Sequence, residues 1–378
     1  MAEQSPEPRV SIVVPVHNGE AFIHIALDSA LAQTEQDLEV IVVDDASTDA
    51  TCAVVERYCQ RDPRVRLIRS ESQGGPARAR NIGFDAASGE WLAILDADDW
   101  YTKDRLRCLL AEAELEDYPF VADNQFFIRS EFAVPHRRLV RQGKDRSQPI
   151  DPEALLVHDR LGKTASMGLL KPIIRRQLLI DHNLRYDERL TVGEDFIFLL
   201  DCLRCIGPLL LVLEPHYFYR IHQNSISTSP SVDRIIPQLD ALNRQVELFD
   251  TETCPGTRRR LEKRQKKLTQ YIRYKSVVEP LHDGDLAGVF RRLAADPSAT
   301  LLLLQSTIRH LERGARVLLA QGQQVFHRTV KATPKFHFNA SAPRTRSPSG
   351  HEPQSAAMSE TPSTVGDSAH PAHPAPGT

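Results

Sequence analysis

The fold is decided by two nearly continuous β-branched runs, VSIVVPV at residues 10–16 and LEVIVVD at residues 38–44. Such runs are typical of strands in a parallel sheet, where both faces of each strand are buried. A helical pattern follows each run, over residues 21–32 and 50–60, and Ser47–Thr48–Asp49 supplies a helix start before the second. The spacing therefore predicts two consecutive strand–helix units.

The same alternation continues along the chain. Short apolar runs predict strands over residues 65–68, 91–95 and 120–128, and Gly74–Gly75–Pro76 predicts a helix start after the first of them. Repeated strand–helix units with short connections fold into a right-handed, mostly parallel α/β sheet flanked by helices, so we expect a Rossmann-like domain. Further helices are expected over residues 152–158, 173–182 and 192–205, and short strands over residues 209–213 and 216–219.

Composition divides the 378 residues into regions. The hydrophobic fraction of 41% is enough for a sizeable core, so wholesale disorder is excluded. Residues 1–230 carry the α/β pattern, residues 231–331 have an almost purely helical pattern, and residues 332–378 are rich in Pro, Ser and His. The last region has too few apolar residues to offset the entropy of ordering, so we predict a disordered tail.

Charge restricts the partners that we expect. Lys and Arg total 47 against 50 Asp and Glu, a formal net charge of −3, which excludes a global polycation that coats nucleic acid. The polar N-terminus predicts no signal peptide, and no apolar run approaches the roughly 18–20 residues of a membrane span, so we expect a cytoplasmic protein. The basic run at residues 258–267 is either a solvated helix face or a peripheral contact with the anionic cytoplasmic face of the inner membrane.

Acidic side chains follow two of the predicted strands. Asp44 and Asp45 end the second strand, and Asp96, Asp98 and Asp99 follow the fourth. Because the carboxyl ends of parallel strands meet at one edge of a sheet, we expect these carboxylates to lie close together. Clustered carboxylates repel one another unless a cation is present, and oxygen ligands suit Mg²⁺ or Mn²⁺ completed by substrate phosphates. The pattern predicts a site for a divalent metal and a diphosphate.

The residue types and their spacing leave the roles of other polar residues undecided. The pair Glu194–Asp195 stands at the start of a predicted helix, where it either serves the helix dipole or belongs to the site at the sheet edge. Arg80 either faces that site or forms an ion pair on a helix surface. Arg220 and His222, in YRIHQNS, would as isolated residues be surface or capping side chains.

The motifs become specific when they are taken in order. They resemble those of family 2 glycosyltransferases with the GT-A fold, and they are similar to bacterial exopolysaccharide transferases, including those of succinoglycan assembly. The resemblance implies a metal-dependent, inverting transfer of a sugar from a nucleotide-diphosphate donor, a UDP-sugar, to a growing, lipid-linked saccharide. The matching runs, over residues 9–228, are VSIVVPVHN, VVDDASTD, GGPARARNIG, WLAILDADDW, RYDERLTVGEDFIF and YFYRIHQNSIS.

The resemblance assigns residues to the nucleoside. Asp45 would accept a hydrogen bond from the imide N–H of a uracil-type base. The nucleoside pocket would be lined by residues at the end of the first strand, Pro15, His17 and Asn18. Arg80 would face the nucleotide.

It also assigns residues to the diphosphate and the metal. Asp96 would contact the ribose or metal-bound water, Asp98 would ligate Mg²⁺ or Mn²⁺, and Asp99 is the lesser candidate. Arg220 would contact the diphosphate, and His222 would be a third metal ligand.

The remaining assignment concerns catalysis. Asp195 would be the general base that takes the proton of the acceptor hydroxyl, because an inverting displacement needs one base opposite the leaving group. Glu194 would position the acceptor.

Other protein classes fit less well. A sugar nucleotidyltransferase usually needs a glycine-rich loop with Arg or Lys straight after the first strand, where this chain has PVHNGEAF at residues 15–22. A dinucleotide-binding enzyme needs G-x-G-x-x-G at the same place. A non-catalytic nucleotide-sugar-binding scaffold of a polysaccharide assembly complex stays open, although the chain keeps the acidic residues Asp45, Asp96, Asp98 and Asp195.

Overall fold

The computed structural model describes residues 7–128, 137–140, 145–158, 166–221, 231–282 and 284–296. Within these ranges the chain forms one mixed sheet with a hydrophobic core on each face. No helix in this part of the chain combines the length and the apolar character that crossing a bilayer requires.

The first half of the sheet is parallel, as predicted. β1 (Val10–Val16) lies between β2 (Leu38–Asp44) and β4 (Trp91–Ile94), and β3 (Val65–Arg69) pairs with the outer edge of β2. The bounds of β1 and β2 are the predicted ones, because their β-branched residues are buried on both faces of the sheet.

The helices divide between the two faces of the sheet. Side chains of β1 alternate, so that Ile12 and Val14 belong to one core and Val13 to the other. Of the first four helices, the first, second and fourth pack into the core around Ile12, and the third packs into the core around Val13. These helices are α1 (Ile23–Leu31), α2 (Thr51–Arg61), α3 (Gly75–Ala86) and α4 (Arg105–Leu115).

The second half of the sheet has mixed pairing. Its strands are β5 (Trp100–Tyr101), β6 (Phe120–Ile128), β7 (Arg137–Arg138), β8 (Ser147–Ile150), β9 (Ile173–Arg175) and β10 (Leu209–Arg220). The strand order is β3-β2-β1-β4-β9-β6-β10-β5, in which the long neighbours β6 and β10 are parallel. Two short strands, β7 and β8, pair antiparallel with β6 and β10, respectively.

One expected helix begins later than predicted. Residues 173–182 were expected to be helical throughout, but the first three form β9 and only α6 (Arg176–Asp181) is helical. Ile173 and Ile174 fill the gap between β4 and β6, where both are buried. Tertiary burial of two β-branched residues therefore overrides the helical pattern at this position.

Two strands that were predicted separately form a single strand in the structure. Residues 209–213 and 216–219 belong to the single strand β10, and its pairing with β6 shifts register on both sides of Pro215. Proline has no N–H to donate to the ladder, so the strand continues through an irregularity rather than ending.

The later helices follow the predicted pattern. α5 (Pro152–His158) has the expected bounds, and α7 (Glu194–Cys205) begins directly at the carboxylate pair. Beyond residue 231 the described chain is helical: α8 (Val232–Leu248), α9 (Pro255–His282) and α10 (Leu286–Ala295). The proposed tail at residues 332–378 and the end of the helical region lie outside the described residues, and the division into domains stays a prediction.

Candidate active site

The loops after β1 and β2 are bonded to each other at the carboxyl edge of the sheet. His17 Nδ1 lies 2.8 Å from the backbone oxygen of Asp45. Asn18 has a left-handed backbone, with φ of 52°, and its side-chain oxygen accepts a hydrogen bond from the Thr48 backbone N–H at 2.8 Å. Pro15, on β1, pairs with Val43 just before this edge. The predicted nucleoside residues therefore share one edge, and their contact with a nucleoside stays a prediction.

Asp45 joins this edge to the start of α3. Its two carboxylate oxygens each accept a backbone N–H, from Gly74 and Gly75, at 2.7 Å. Gly75 has a φ of 86°, a conformation that favours glycine and that aims these N–H groups at the carboxylate. Asp45 is buried, so the carboxylate is fixed at the sheet edge, where its predicted bond to a base remains untested.

Arg80 bridges the strand-end acids to the later carboxylate pair. Its Nη2 lies 2.7 Å from Asp96 Oδ1, and its Nη1 lies 3.0 Å from Glu194 Oε1 and 3.4 Å from Asp195 Oδ1. Its side chain is 3% exposed, so the alternative of a helix-surface ion pair is wrong. The two acidic motifs therefore meet through one guanidinium, and the roles of Glu194 and Asp195 stay a prediction.

Lys171 is a second buried cation, and the sequence reasoning missed it. Its Nζ lies 2.8 Å from Asp96 Oδ2 and 2.6 Å from Asp195 Oδ2, and its side chain is 1% exposed. The available signal was its position in the apolar run GLLKPII, residues 168–174, since a lysine buried in such a run needs a charged partner.

Tyr186 is also a missed residue of the site. Its hydroxyl donates to Asp195 Oδ1 at 3.1 Å, and its ring stacks on Phe198 with centroids 4.2 Å apart. The guanidinium of Arg80 lies 5.0 Å from the centre of the same ring. Asp195 is thus held on one oxygen by Tyr186 and on the other by Lys171.

The buried charges shift one another's pKa values. Burial alone would raise the pKa of Asp96, but the charges of Lys171 and Arg80 outweigh burial and lower it. Burial and the charge of Asp195 raise the pKa of Glu194. The pKa of Lys171 is raised because its carboxylate partners outweigh its burial. The site therefore contains two carboxylates in contrasting environments, an arrangement typical of acid–base chemistry.

Asp99 and Arg220 hold the strand-end loop in place. Asp99 accepts hydrogen bonds from the Tyr217 hydroxyl at 2.6 Å and from the Arg220 backbone N–H at 2.7 Å, and its burial raises the pKa of its carboxyl. Arg220 Nε donates to the Asp98 backbone oxygen at 2.7 Å. Arg220 is buried, so the surface alternative for this residue is wrong, while its diphosphate contact stays a prediction. His222 lies outside the described residues.

The strand-end acids differ in their fitness for a divalent metal. Asp96 is engaged by two cations and Asp99 is buried, with its carboxylate held by two hydrogen bonds. Asp98 lies at the same edge and is more accessible than Asp99, being half-buried. Among the described residues no group of three or more His, Cys, Asp and Glu side chains could hold a metal by itself. One carboxylate completed by substrate phosphates is a common set for Mg²⁺, so Asp98 fits a metal that arrives with a diphosphate.

Comparisons with known proteins identify the family of this chain. A family model described as Glycosyl transferase family 2 matches residues 11–169. The chain is 33% identical over 350 residues to the succinoglycan biosynthesis protein ExoO of Rhizobium meliloti, covering 92% of this chain and 96% of that protein. It is 35% identical to ExoU of the same organism, covering 50% of this chain and 54% of ExoU.

A solved structure agrees in fold. The structure of Staphylococcus aureus TarS residues 1–349 in complex with UDP-GlcNAc matches with a TM-score of 0.52 and 18% identity, covering 74% of this chain and 89% of that one. At that identity the match concerns the fold alone. Together with the ExoO match, which spans nearly the whole chain, it leads to one conclusion: this chain is a glycosyltransferase of family 2 with the GT-A fold.

Proposed function

We propose that this enzyme transfers a sugar from a UDP-sugar to a growing, lipid-linked saccharide in exopolysaccharide biosynthesis, with inversion at the anomeric carbon. The observation that carries the proposal is the meeting of the strand-end acid Asp96 with Glu194–Asp195 through Arg80 and Lys171. This juxtaposition supports a role for Asp195 as a base beside the sheet edge, where ligands bind in open α/β sheets. The similarity to ExoO, a succinoglycan biosynthesis protein, supports the pathway, and the fold shared with TarS, which was solved with UDP-GlcNAc, supports the donor class.

The reaction that fits this site is a single displacement. The acceptor oxygen forms a bond to the anomeric carbon while the bond from that carbon to the diphosphate oxygen breaks. The nucleoside diphosphate leaves with the bonding electron pair, and the acceptor proton passes to Asp195. Asp195 need not be strongly basic beforehand, because the hydroxyl becomes acidic only as its bond to carbon forms.

The surrounding donors keep the base in one orientation. Tyr186 and Lys171 bond to opposite oxygens of Asp195, so the carboxylate cannot rotate without losing a buried hydrogen bond. Glu194, whose pKa is raised, lies beside it and would position the acceptor. Asp98 would hold the divalent metal, Mg²⁺ or Mn²⁺, which when bound supplies a Lewis acid that neutralises charge on the departing diphosphate.

A donor panel tests the transfer. UDP-, GDP- and dTDP-sugars are incubated with the enzyme, a divalent metal and the native lipid-linked acceptor pool, and labelled sugar in the lipid extract is counted. We expect transfer from a UDP-sugar, with the anomeric configuration of the product opposite to that of the donor by NMR. Donor binding without transfer or hydrolysis for any donor would instead identify a non-catalytic scaffold, and a retained configuration would exclude inversion.

Two substitutions test the residue roles. Asp195→Asn should keep donor binding and lose transfer by at least about 100-fold, while Asp201→Asn, the same change on the same helix, should transfer normally. Asp98→Ala should weaken the dependence of donor binding on metal, with the half-buried Asp104→Ala, the same change before α4, as its control. Normal transfer by Asp195→Asn would show that the base is another group.

We also propose that the enzyme docks on the anionic membrane that carries its lipid-linked acceptor. The cations of the basic run lie on different sides of α9. Arg260 pairs with Glu153 and Arg264 lies over the Phe196 ring, so these two side chains face the protein. Arg258 is half-buried and pairs with Glu262. The other four cations are exposed and recur at helical spacing on one stripe, which consists of Arg259, Lys263, Lys266 and Lys267. Each cation near an anionic surface contributes about 1 kcal/mol to membrane binding.

Co-sedimentation with anionic vesicles tests the docking. Reversal of the stripe to Glu at all of its positions should reduce the bound fraction more than about tenfold, because it removes the attraction and adds repulsion. A control reverses the same number of exposed cations on other helices and loops: Arg57, Arg61, Lys103 and Arg107. Equal sedimentation of the stripe variant and the wild type would overturn this part of the proposal.

A further inference from the structure

The start of α7, which carries Glu194 and Asp195, is covered by a residue from α8. Gly193, the residue before the pair, has a φ of 78°, and a Cβ placed there would lie 2.0 Å from Gln238 Nε2. Gln238 itself is 8% exposed. The backbone that leads into the carboxylate pair is therefore in direct contact with the buried amide of Gln238, and only glycine allows so close an approach.

A second contact comes from α9. The guanidinium carbon of Arg264 lies 3.8 Å from the centre of the Phe196 ring, and Phe196 follows Asp195 directly. Phe196 is buried in the same core as the rest of α7. A cation at this distance over an aromatic face is an attractive contact, worth about 1–2 kcal/mol where water is excluded.

A third contact reaches the loop that carries Tyr186. Arg244, on α8, lies with its Nη2 2.6 Å from Asp187 Oδ2. Tyr186 is the neighbour of Asp187 in sequence and donates to Asp195 Oδ1. Residues 186–196 contain the carboxylate pair and its hydrogen-bond donor Tyr186. The C-terminal helices α8 and α9 therefore contact this segment at three points.

From these contacts we propose that α8 and α9 position the catalytic carboxylate, with Gln238, Arg244 and Arg264 as positioning residues. The inference rests on the proposed function in one respect, the role of Asp195 as base. A displacement of about 1 Å at a reacting group costs about 100-fold in rate, so support at three points around this short segment bears directly on turnover. The C-terminal helices are then part of the catalytic apparatus without touching substrate.

A purely structural role predicts a different outcome, and α8 offers a matched control. Gln245 Nε2 donates to Asp201 Oδ1 at 3.0 Å, a contact between the same two helices but about two turns further along α7. Its removal should lower the stability of the α7–α8 contact without moving the carboxylate pair. Gln238→Ala and Gln245→Ala remove the same atoms from one helix at positions about two turns apart, so their comparison isolates the effect of position along the helix.

Steady-state kinetics on the full chain test the proposal. Gln238→Ala and Arg264→Met should lower kcat about 10- to 100-fold with the donor KM within about threefold, while Gln245→Ala keeps kcat within about twofold. Arg264→Lys should recover part of the loss, because it restores a cation over the ring. Melting temperatures are measured alongside. A loss of kcat in Gln245→Ala as large as in Gln238→Ala would overturn the proposal.

A readout without turnover separates this inference from the proposed function. Amide hydrogen exchange of residues 194–198 should accelerate in Gln238→Ala and Arg264→Met, and stay at the wild-type rate in Gln245→Ala. Unchanged exchange in both variants would overturn the positioning role even if transfer is observed. An absence of transfer in the wild type would instead contradict the proposed function, and the exchange data would still decide the role of α8 and α9. If either variant fails to fold, Gln238→Asn and Arg264→Gln take their place.

Discussion

At the scale of single residues, the site is a small set of buried charges that compensate one another. Arg80 and Lys171 face the carboxylates of Asp96, Glu194 and Asp195. A buried charge that loses its partner costs about 3–5 kcal/mol, so these side chains stabilise the fold only as a group. Catalysis and stability therefore depend on the same contacts here.

Lys171→Met is the sharpest test of that coupling. The substitution keeps the length of the side chain and removes the cation shared by Asp96 and Asp195. We expect the free energy of unfolding to fall by about 3 kcal/mol and transfer to fall by about 100-fold, measured by urea titration and by the donor assay. Lys103→Met, at an exposed position, is the control. Wild-type stability of Lys171→Met would show that the ion pairs contribute little.

Sequence reasoning found the acids of the site but not all of their partners. Asp96 and Asp98 follow a buried strand and Glu194–Asp195 begins a helix, so their places are set by local pattern. Lys171 and Tyr186 lie in irregular segments whose positions depend on packing against α3 and α7. No periodicity marks such residues, and only the isolation of a lysine in an apolar run indicated one of them.

At the scale of elements, long strands were predictable and short ones were not. β1, β2 and β6 have the predicted bounds, because β1 and β2 are rich in buried β-branched residues and β6 has apolar residues at both of its ends. β9 has only three residues and runs straight into α6, and a short apolar run of this kind fits a strand and a helix equally well. Residues 173–175 form a strand because they pair with β4 and β6 on either side.

One acidic side chain fastens the amino-terminal ends of the central strands. Glu39, on β2, accepts hydrogen bonds from the Ser11 hydroxyl of β1 at 2.6 Å and from the Ser88 backbone N–H, just before β4, at 2.8 Å. Burial alone would raise the pKa of Glu39, but the hydrogen bonds from Ser11, Ser88 and Arg66 outweigh it and lower the pKa. The folded state therefore favours the charged carboxylate.

This predicts a pH-dependent effect of Glu39→Gln. Because the pKa is lower in the folded state, the stabilisation is fully present above the unfolded pKa of about 4.3 and is lost as pH falls through the folded value. The variant should be less stable than the wild type by about 2 kcal/mol at pH 7, and the difference should shrink below about pH 4. Urea titrations over this range measure it. A difference that is constant with pH would exclude the carboxylate charge as its cause.

At the scale of the whole molecule, the C-terminal helices share a core with the sheet. Leu261 and Leu268 of α9 and Ile235 of α8 are buried in the same cluster as Ile174 and Leu199, which lie on β9 and α7. Shared burial of this kind couples the unfolding of the elements that contribute to it. We therefore expect the α/β part and helices α8 and α9 to unfold together.

Leu268→Ala tests this coupling. Removal of a side chain that is 1% exposed should lower the free energy of unfolding by about 2–4 kcal/mol while the thermal transition stays single. Leu248→Ala, at a position that is 52% exposed, should change it by less than about 0.5 kcal/mol. Two separate calorimetric transitions in either variant would show that the helices form an independent unit.

The place of β10 in the sheet has a consequence for synthesis. Leu209–Arg220 pairs with both β6 and β5, so β6 obtains its long parallel neighbour only when the ribosome has added about ninety further residues. At about 5–20 residues per second, the nascent chain exposes the unpaired edge of FVADNQFFI for roughly 5 to 20 seconds. An unpaired apolar strand edge is a template for aggregation, so this interval is when the growing polypeptide most needs a chaperone.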